Sequence, residues 1–179
     1  MWEAMNKGIQ ASTGSIIVFL NSDDTFNKEA LQYAVKYFKK NKKIDFVFGT
    51  VKKHWLKFGF FPQRVRYSFN FYTTHSIGFF IKKKSQKKIG FYNPKFLSAD
   101  LDLFLRMILK YKLKGTSTKK NELFGTFRTG GFSSKVMFRD HLKDLNKIRI
   151  NNGQNYIYIY LIYIYKILKN LKKFTLNEH

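Results

Sequence analysis

Two adjacent carboxylates, Asp23 and Asp24, directly follow an apolar segment, residues 16–20, in which four of five side chains are β-branched or aromatic. Such a segment predicts a short strand buried on both faces. In open α/β sheets, ligands bind just beyond the carboxyl ends of strands, where these aspartates would lie. Mg²⁺ and Mn²⁺ take oxygen ligands and are commonly shared between carboxylates and substrate phosphates. The pair therefore indicates a metal–diphosphate site, although residues 21–24 are also typical of a turn that caps the next helix.

A third carboxylate, Asp100, lies in the first turn of a predicted helix that begins near Ser98. Apolar residues recur three and four positions apart over residues 101–108, which is typical of a helix with one buried face. Asp102 and Arg106 are four positions apart and are expected to pair on the helix surface. Asp100 has no such local partner. Its carboxylate is suited either to the helix dipole or to work as a general base.

The elements that must position these carboxylates alternate between helices and strands. Predicted helices cover residues 2–11, 27–40, a short segment that ends at 89, a segment that begins at 98, and 138–150. Predicted strands cover residues 16–20, 45–49, 75–81 and 123–127. This alternation is typical of a layered α/β fold. Because few strands precede the acidic pair, we expect the first part of the sheet to be missing.

The composition is strongly basic, with a net charge of +23 from 34 basic and 11 acidic residues. Such a charge predicts a phosphate-bearing partner or an anionic membrane surface. The abundance of lysine, isoleucine, asparagine, tyrosine and phenylalanine is also typical of an AT-rich genome. Only 6 of the basic residues are arginine, which argues against sequence-specific nucleic-acid recognition. The absence of cysteine excludes a disulfide scaffold and a thiolate metal site.

Two further features fit either a ligand site or ordinary structure. His75 has a side chain that titrates near neutral pH and is able to contact phosphate, but a hydrogen-bonded structural histidine is the more common case. Gly130 and Gly131 allow the backbone to approach a phosphate closely, and such pairs are also common in loops. The aromatic and basic segment 51–72 is suited to covering an acceptor cleft, to core packing or to a membrane contact.

Several segments, taken together in their order and spacing, resemble the inverting family 2 glycosyltransferases, which have the GT-A fold. The segments are residues 3–9, 11–14, 19–24, 75 with 78–80, 88–92, 99–106 and 130–133. The resemblance implies an α/β fold of partial GT-A type, with a mixed Rossmann-like sheet and flanking helices. It covers about residues 2–135. We therefore predict a catalytic part over residues 1–135 and a basic, aromatic helical tail over residues 136–179.

The resemblance implies transfer of a sugar from a nucleotide-diphosphate sugar to the hydroxyl of a saccharide or lipid-linked acceptor. In such enzymes Asp23, with Asp24 or Asn21 beside it, would help hold Mn²⁺ or Mg²⁺ on the diphosphate. The ion neutralises charge that grows on the leaving group. Asp100 matches the general base that deprotonates the acceptor, so that attack comes from the face opposite the nucleotide and inverts the anomeric centre.

The resemblance also implies residues for donor binding. Asn6 and Lys7 would lie near the nucleotide, and Asn21, Ser22 and Asp23 would contact the donor from the acidic motif. Asn21 stands where many relatives have aspartate, so the division of roles within this motif is open.

The leading βαβ half of the family fold, which grips the base of the nucleotide, has no counterpart in this sequence. We therefore expect an exposed sheet edge and an incomplete donor pocket. Either a separate chain supplies the missing half, or the isolated chain has little activity.

The segment 156–165 alternates mainly tyrosine and isoleucine and is followed by lysines. It is about half as long as the ~20 residues needed to span a bilayer. It is suited to a strand, to a poorly ordered tail or, as we prefer, to a helix at the membrane surface. We predict a cytoplasmic protein, peripheral at the membrane. The alternative function is a non-catalytic basic module or an inactive enzyme remnant that binds an anionic membrane or nucleic acid.

Overall fold

Helices flank two mixed sheets in the computed structural model, which describes residues 1–66, 76–128 and 136–171. The helices are α1 (Trp2–Ala11), α2 (Ala30–Lys40), α3 (Lys83–Ile89), α4 (Ala99–Leu105), α5 (Phe138–Asn151) and α6 (Tyr156–Lys169). The strands are β1 (Ile16–Ile17), β2 (Thr25–Phe26), β3 (Phe46–Phe48), β4 (Thr50–Lys52), β5 (Leu56–Lys57), β6 (Phe79–Lys82), β7 (Gly115–Ser117) and β8 (Leu123–Thr126). Short 3₁₀ helices cover Pro62–Arg64 and Ser76–Gly78, and a π-helical turn, Arg106–Lys110, continues α4.

Both sheets are mixed, with strand orders β1-β6-β3-β7 and β2-β8-β4-β5. Strand β3 pairs antiparallel with β6 and parallel with β7, and β4 pairs parallel with β8. Only Gly49 separates β3 from β4, so the chain passes from one sheet into the other at this residue. A Cβ atom on Gly49 would lie 2.1 Å from the ring of Phe124. Only glycine therefore fits where the two sheets join.

The core lies on both faces of the central strand β3. Phe46 and Phe48 point into one cluster, where Phe79 and Phe104 meet edge to face at 4.7 Å. Val47 points the other way, into a second cluster with α2. Successive side chains of a strand point to opposite faces, so a strand covered on both sides must be apolar throughout. This is why the apolar run 46–48, within the predicted strand 45–49, predicted β3 correctly.

The predicted helices are confirmed, including α3, which ends at Gly90 in the left-handed region with φ +79°. The prediction of a strand over residues 16–20 that is buried on both faces was wrong. The chain pairs only at Ile16 and Ile17, antiparallel to β6, and Leu20 is 51% exposed. Strand β1 lies at the end of its sheet, so the described residues place a strand on one side of it only. The predicted tail helix is confirmed as α6, and in the described part of the chain no helix has the length and apolar character to cross a membrane.

Candidate active site

The acidic motif forms a tight turn that is organised by Asp24. Its buried carboxylate accepts hydrogen bonds from the Asn21 amide (Nδ2 to Oδ2, 3.0 Å) and from the Arg128 backbone N–H (N to Oδ1, 3.2 Å). Asn21 also donates to Ser76 Oγ at 2.9 Å. Burial raises the pKa of Asp24, the two hydrogen bonds lower it, and the neighbouring Asp23 charge raises it; the net change is upward. Asp24 therefore joins the motif to the residues that follow β8.

Asp23, in contrast, is half-buried and has no hydrogen-bond or ion-pair partner among the described residues. Its neighbour Ser22 is exposed. Within residues 1–66, 76–128 and 136–171, no three or more histidine, cysteine, aspartate or glutamate side chains are grouped so as to hold a metal ion. A cation at this motif would thus need most of its ligands from elsewhere. Mg²⁺ commonly binds through one or two carboxylates together with substrate phosphates and water, and Asp23 fits that arrangement.

Asp100 lies in the first turn of α4, where its Oδ1 accepts a hydrogen bond from the Leu101 N–H at 2.8 Å. Burial raises the pKa of this carboxyl, backbone hydrogen bonds lower it, and the charge of Asp144 raises it further; the net change is upward. Asp144 comes from α5 and accepts the Ser98 N–H at 2.8 Å. Helix α5 therefore places a second negative charge at the start of α4, and Asp100 is a stronger base than an ordinary aspartate.

Tyr92 is a buried residue near both acidic segments. Its buried ring stacks on Trp2 at 5.4 Å and meets the edge of Phe19 at 6.1 Å. Burial and the nearby charge of Asp100 raise the pKa of the Tyr92 hydroxyl. Phe19 is two residues before the acidic motif, so the Tyr92 ring contacts the segment that leads into this motif, while the Tyr92 hydroxyl lies within the electrostatic range of Asp100.

The Tyr92 backbone is held by Asn6 of α1. The Asn6 amide donates to the Tyr92 carbonyl at 2.8 Å and accepts the Tyr92 N–H at 2.9 Å. The family resemblance assigns Asn6 to the nucleotide. In this structure, however, its side-chain carbonyl and one of its side-chain N–H groups are hydrogen-bonded to the protein backbone. Lys7, the next residue, is exposed.

The predicted Asp102–Arg106 pair is confirmed, but its carboxylate is buried rather than on the surface. Arg106 Nε lies 2.9 Å from Asp102 Oδ2, and Asp102 is 4% exposed. The two other guanidinium nitrogens donate to the carbonyl oxygens of Ile89 and Phe91, both at 2.6 Å. Arg106 therefore fixes the turn that leads into Tyr92.

Sequence reasoning did not single out Tyr92. Its contact with Asn6 spans 86 positions, and no local pattern marks such a contact. The available signal was its place in residues 88–92, one of the segments that carry the family resemblance. His75 and the Gly130–Gly131 loop lie outside the described residues.

Comparison with known proteins identifies the family. The profile described as Glycosyl transferase family 2 matches residues 3–145, and the chain belongs to this family. The fold is the partial GT-A fold predicted from the sequence. A comparison with curated protein sequences gives no match.

Similar solved structures agree with this fold. One is S. aureus TarS 1–349 in complex with UDP-GlcNAc, with 13% identity, a TM-score of 0.62, and coverage of 89% of this chain and 49% of that chain. Another is the mannosyltransferase PcManGT from Pyrobaculum calidifontis in complex with GDP-Man and Mn²⁺, with 13% identity, a TM-score of 0.59, and coverage of 99% and 52%. The present chain therefore spans about half the length of these structures.

Proposed function

We propose that this chain carries the metal-binding and general-base part of a glycosyltransferase that uses a nucleotide-diphosphate sugar and inverts the anomeric centre. The observation that supports this most is the match of residues 3–145 to glycosyltransferase family 2, in a fold that leaves the Asp23 carboxylate without a partner among the described residues. The Tyr92 ring also contacts Phe19, just before the acidic motif, and the charge of Asp100 acts on the Tyr92 hydroxyl, so both acidic segments are near this one residue. The acceptor class, a saccharide or a lipid-linked sugar, and a cytoplasmic location are part of the same proposal.

In this proposal Asp23 and Asp24 have different roles. Asp23 holds the cation, Mn²⁺ or Mg²⁺, because its carboxylate has no partner among the described residues. When bound, the ion neutralises the charge that grows on the departing diphosphate. Asp24 keeps the turn in shape, because each of its oxygens already accepts a hydrogen bond. Asn21 supports Asp24, and Ser22 and Lys7 remain candidates for donor contacts.

Asp100 acts as the general base. Its carboxylate takes the proton of the acceptor hydroxyl, and the acceptor oxygen forms a bond to the anomeric carbon. The bond from that carbon to the diphosphate oxygen breaks on the opposite face, so the configuration inverts. A raised pKa suits this task, since proton abstraction improves as the base strengthens, provided that it is ionised at the working pH. Asn6 holds the backbone of Tyr92, and neither residue takes part in proton transfer.

The test is release of nucleoside diphosphate from UDP-GlcNAc and GDP-mannose in the presence of Mn²⁺. Asp100→Asn keeps the size of the side chain and the acceptor for the Leu101 N–H, and it should lower the rate by about 10²–10⁴-fold, the usual contribution of a general base. Asp140→Asn is the matched control, because Asp140 is exposed in the first turn of α5, and it should leave the rate unchanged. Measurable release at equal rates by the wild type and Asp100→Asn would contradict the assignment of the base, and no release by the wild type would contradict activity of this chain on its own.

A further inference from the structure

Helix α6 presents a continuous apolar stripe to its surroundings. Its opposite side packs on α5, with Ile159 only 1% exposed. The stripe consists of Ile157, Leu161, Ile164 and Leu168, which are 55%, 60%, 40% and 67% exposed. Spacings of four, three and four residues place all four side chains on one side of a helix. Scattered exposed apolar residues are common on protein surfaces, whereas an aligned row indicates an interaction site.

Tyrosines border this stripe on both sides. At 3.6 residues per turn, Tyr156 and Tyr160 fall along one margin, and Tyr158 and Tyr165 fall along the other. Their exposed fractions are 66%, 61%, 39% and 59%. Tyrosine has an apolar ring and a polar hydroxyl, and it concentrates at the boundary between lipid tails and headgroups. An aliphatic centre with tyrosine margins is the pattern of a helix that lies in the plane of a membrane surface.

Charge favours a bilayer over a second copy of the chain. Residues 156–171 contain no acidic side chain, and Lys169, in the last turn of α6, lies beside one tyrosine margin, with its Nζ 5.9 Å from the centre of the Tyr165 ring. The sequence continues with Lys172 and Lys173, and the whole chain carries a net charge of +23. Two such helices side by side would lack the opposite charges that flank the seam in paired helices, and the two copies would repel each other. Anionic headgroups are attracted to the same lysines.

We propose that the α6 stripe is a binding surface for an anionic lipid bilayer. The stripe inserts among the acyl chains, and the tyrosines lie at the level of the headgroups. The lysines neutralise the negative charge of these headgroups. This inference goes beyond the proposed sugar transfer and does not depend on it, because no group of the candidate active site takes part.

The experiment is flotation of the full chain with two kinds of vesicle, one of phosphatidylcholine alone and one of equimolar phosphatidylcholine and phosphatidylglycerol. Leu161→Gln and Leu168→Gln are tested singly and together. Leu31→Gln is the matched control, because Leu31 is a 56% exposed leucine on α2. Circular dichroism melting shows whether each variant is folded, and sedimentation without lipid gives its oligomeric state.

We expect binding to the anionic vesicles that weakens with added salt and exceeds binding to phosphatidylcholine. Each leucine variant should weaken binding about tenfold, the factor expected when a leucine side chain no longer enters an apolar phase. The Leu31→Gln control should bind like the wild type. The proposal is overturned if folded wild type binds neither vesicle, if the double variant binds as tightly as wild type, or if the leucine variants instead abolish a dimer.

Discussion

Replacement of Arg106 tests how the fold holds the candidate site. Its guanidinium makes one ionic contact with the buried Asp102 and two short hydrogen bonds to the carbonyl oxygens of Ile89 and Phe91. Arg106→Met removes all three and leaves Asp102 with the Asn152 amide, at 2.9 Å, as its side-chain partner among the described residues. The negative charge then remains buried without a counter-ion.

The expected loss is large for a single side chain. Breaking a buried ion pair by removal of one partner costs about 3–5 kcal/mol, a sizeable part of the ~5–15 kcal/mol that stabilises a typical domain. For a chain of this size, each kcal/mol corresponds to about 2–4 °C, so the melting temperature should fall by about 6–20 °C. Arg106→Lys should lose less stability than Arg106→Met, because it keeps the positive charge. It should still be less stable than the wild type, because lysine lacks the planar guanidinium that reaches both carbonyls.

Urea unfolding followed by circular dichroism measures these differences. Lys28→Met is the control, since it removes the exposed pair between Lys28 and Glu29, whose atoms are 3.8 Å apart. Exposed pairs contribute about 0–1 kcal/mol, so this variant should unfold almost like the wild type. If the free energy of unfolding of Arg106→Met also falls by less than about 1 kcal/mol, the contacts of Arg106 do not hold the site as described.

Three further predictions concern single side chains. Asp100→Asn should raise the melting temperature at neutral pH. The reason is that burial raises the pKa of this carboxyl above 3.8, so the folded state is destabilised once the group ionises. In thermal melts the gain should vanish as the pH falls towards 3.8, where the carboxyl is protonated. Tyr37→Phe should cost about 1.5–3 kcal/mol in urea unfolding, because the Tyr37 hydroxyl donates to the nearly buried Glu122 carboxylate at 2.6 Å. Gly115→Ala should cost about 1–3 kcal/mol in the same assay, because its Cβ would lie 2.1 Å from the Phe46 ring.

Each of these predictions has a control variant or an outcome that would contradict it. A constant difference between Asp100→Asn and wild type at all pH values would show that the charge of Asp100 is not the cause. Tyr33→Phe removes a hydroxyl from the same helix, where the Tyr33 ring stacks on Phe124 at 6.3 Å, and it should lose less than Tyr37→Phe. Gly14→Ala should be nearly neutral, because its nearest contact would be 3.6 Å; equal losses at both glycines would refute the steric argument.

Much of the layering was predictable because local pattern and burial agree. The continuous apolar run of β3 and the spacing of Ala30, Ala34 and Phe38 in α2 both reflect which faces are covered. The segment 16–20 misled because its composition is that of a central strand, whereas β1 pairs with β6 alone and only over two residues. Composition reports apolar character, but the number of neighbouring strands is a property of the whole sheet.

The sequence singles out the charged side chains of the candidate site, but not the uncharged side chains that pack around them. Asp23 and Asp100 stand out by residue type and position. The contacts of Tyr92 with Asn6 and Phe19, near these carboxylates, are made by ordinary residue types without a local signature. The different environments of Asp23 and Asp24 also emerge only from the fold, since the backbone N–H that Asp24 accepts belongs to Arg128, 104 positions away.

The most direct test of the central claim is a melting-temperature screen against UDP and GDP, with and without Mn²⁺. We predict a rise that requires both the diphosphate and Mn²⁺; at about 100 times the dissociation constant it corresponds to about 2.7 kcal/mol, or about 5–11 °C. The rise should persist in Asp140→Asn and disappear in Asp23→Asn. If neither nucleotide raises the melting temperature with Mn²⁺, or if Asp23→Asn responds like the wild type, the acidic motif is not a metal–diphosphate site.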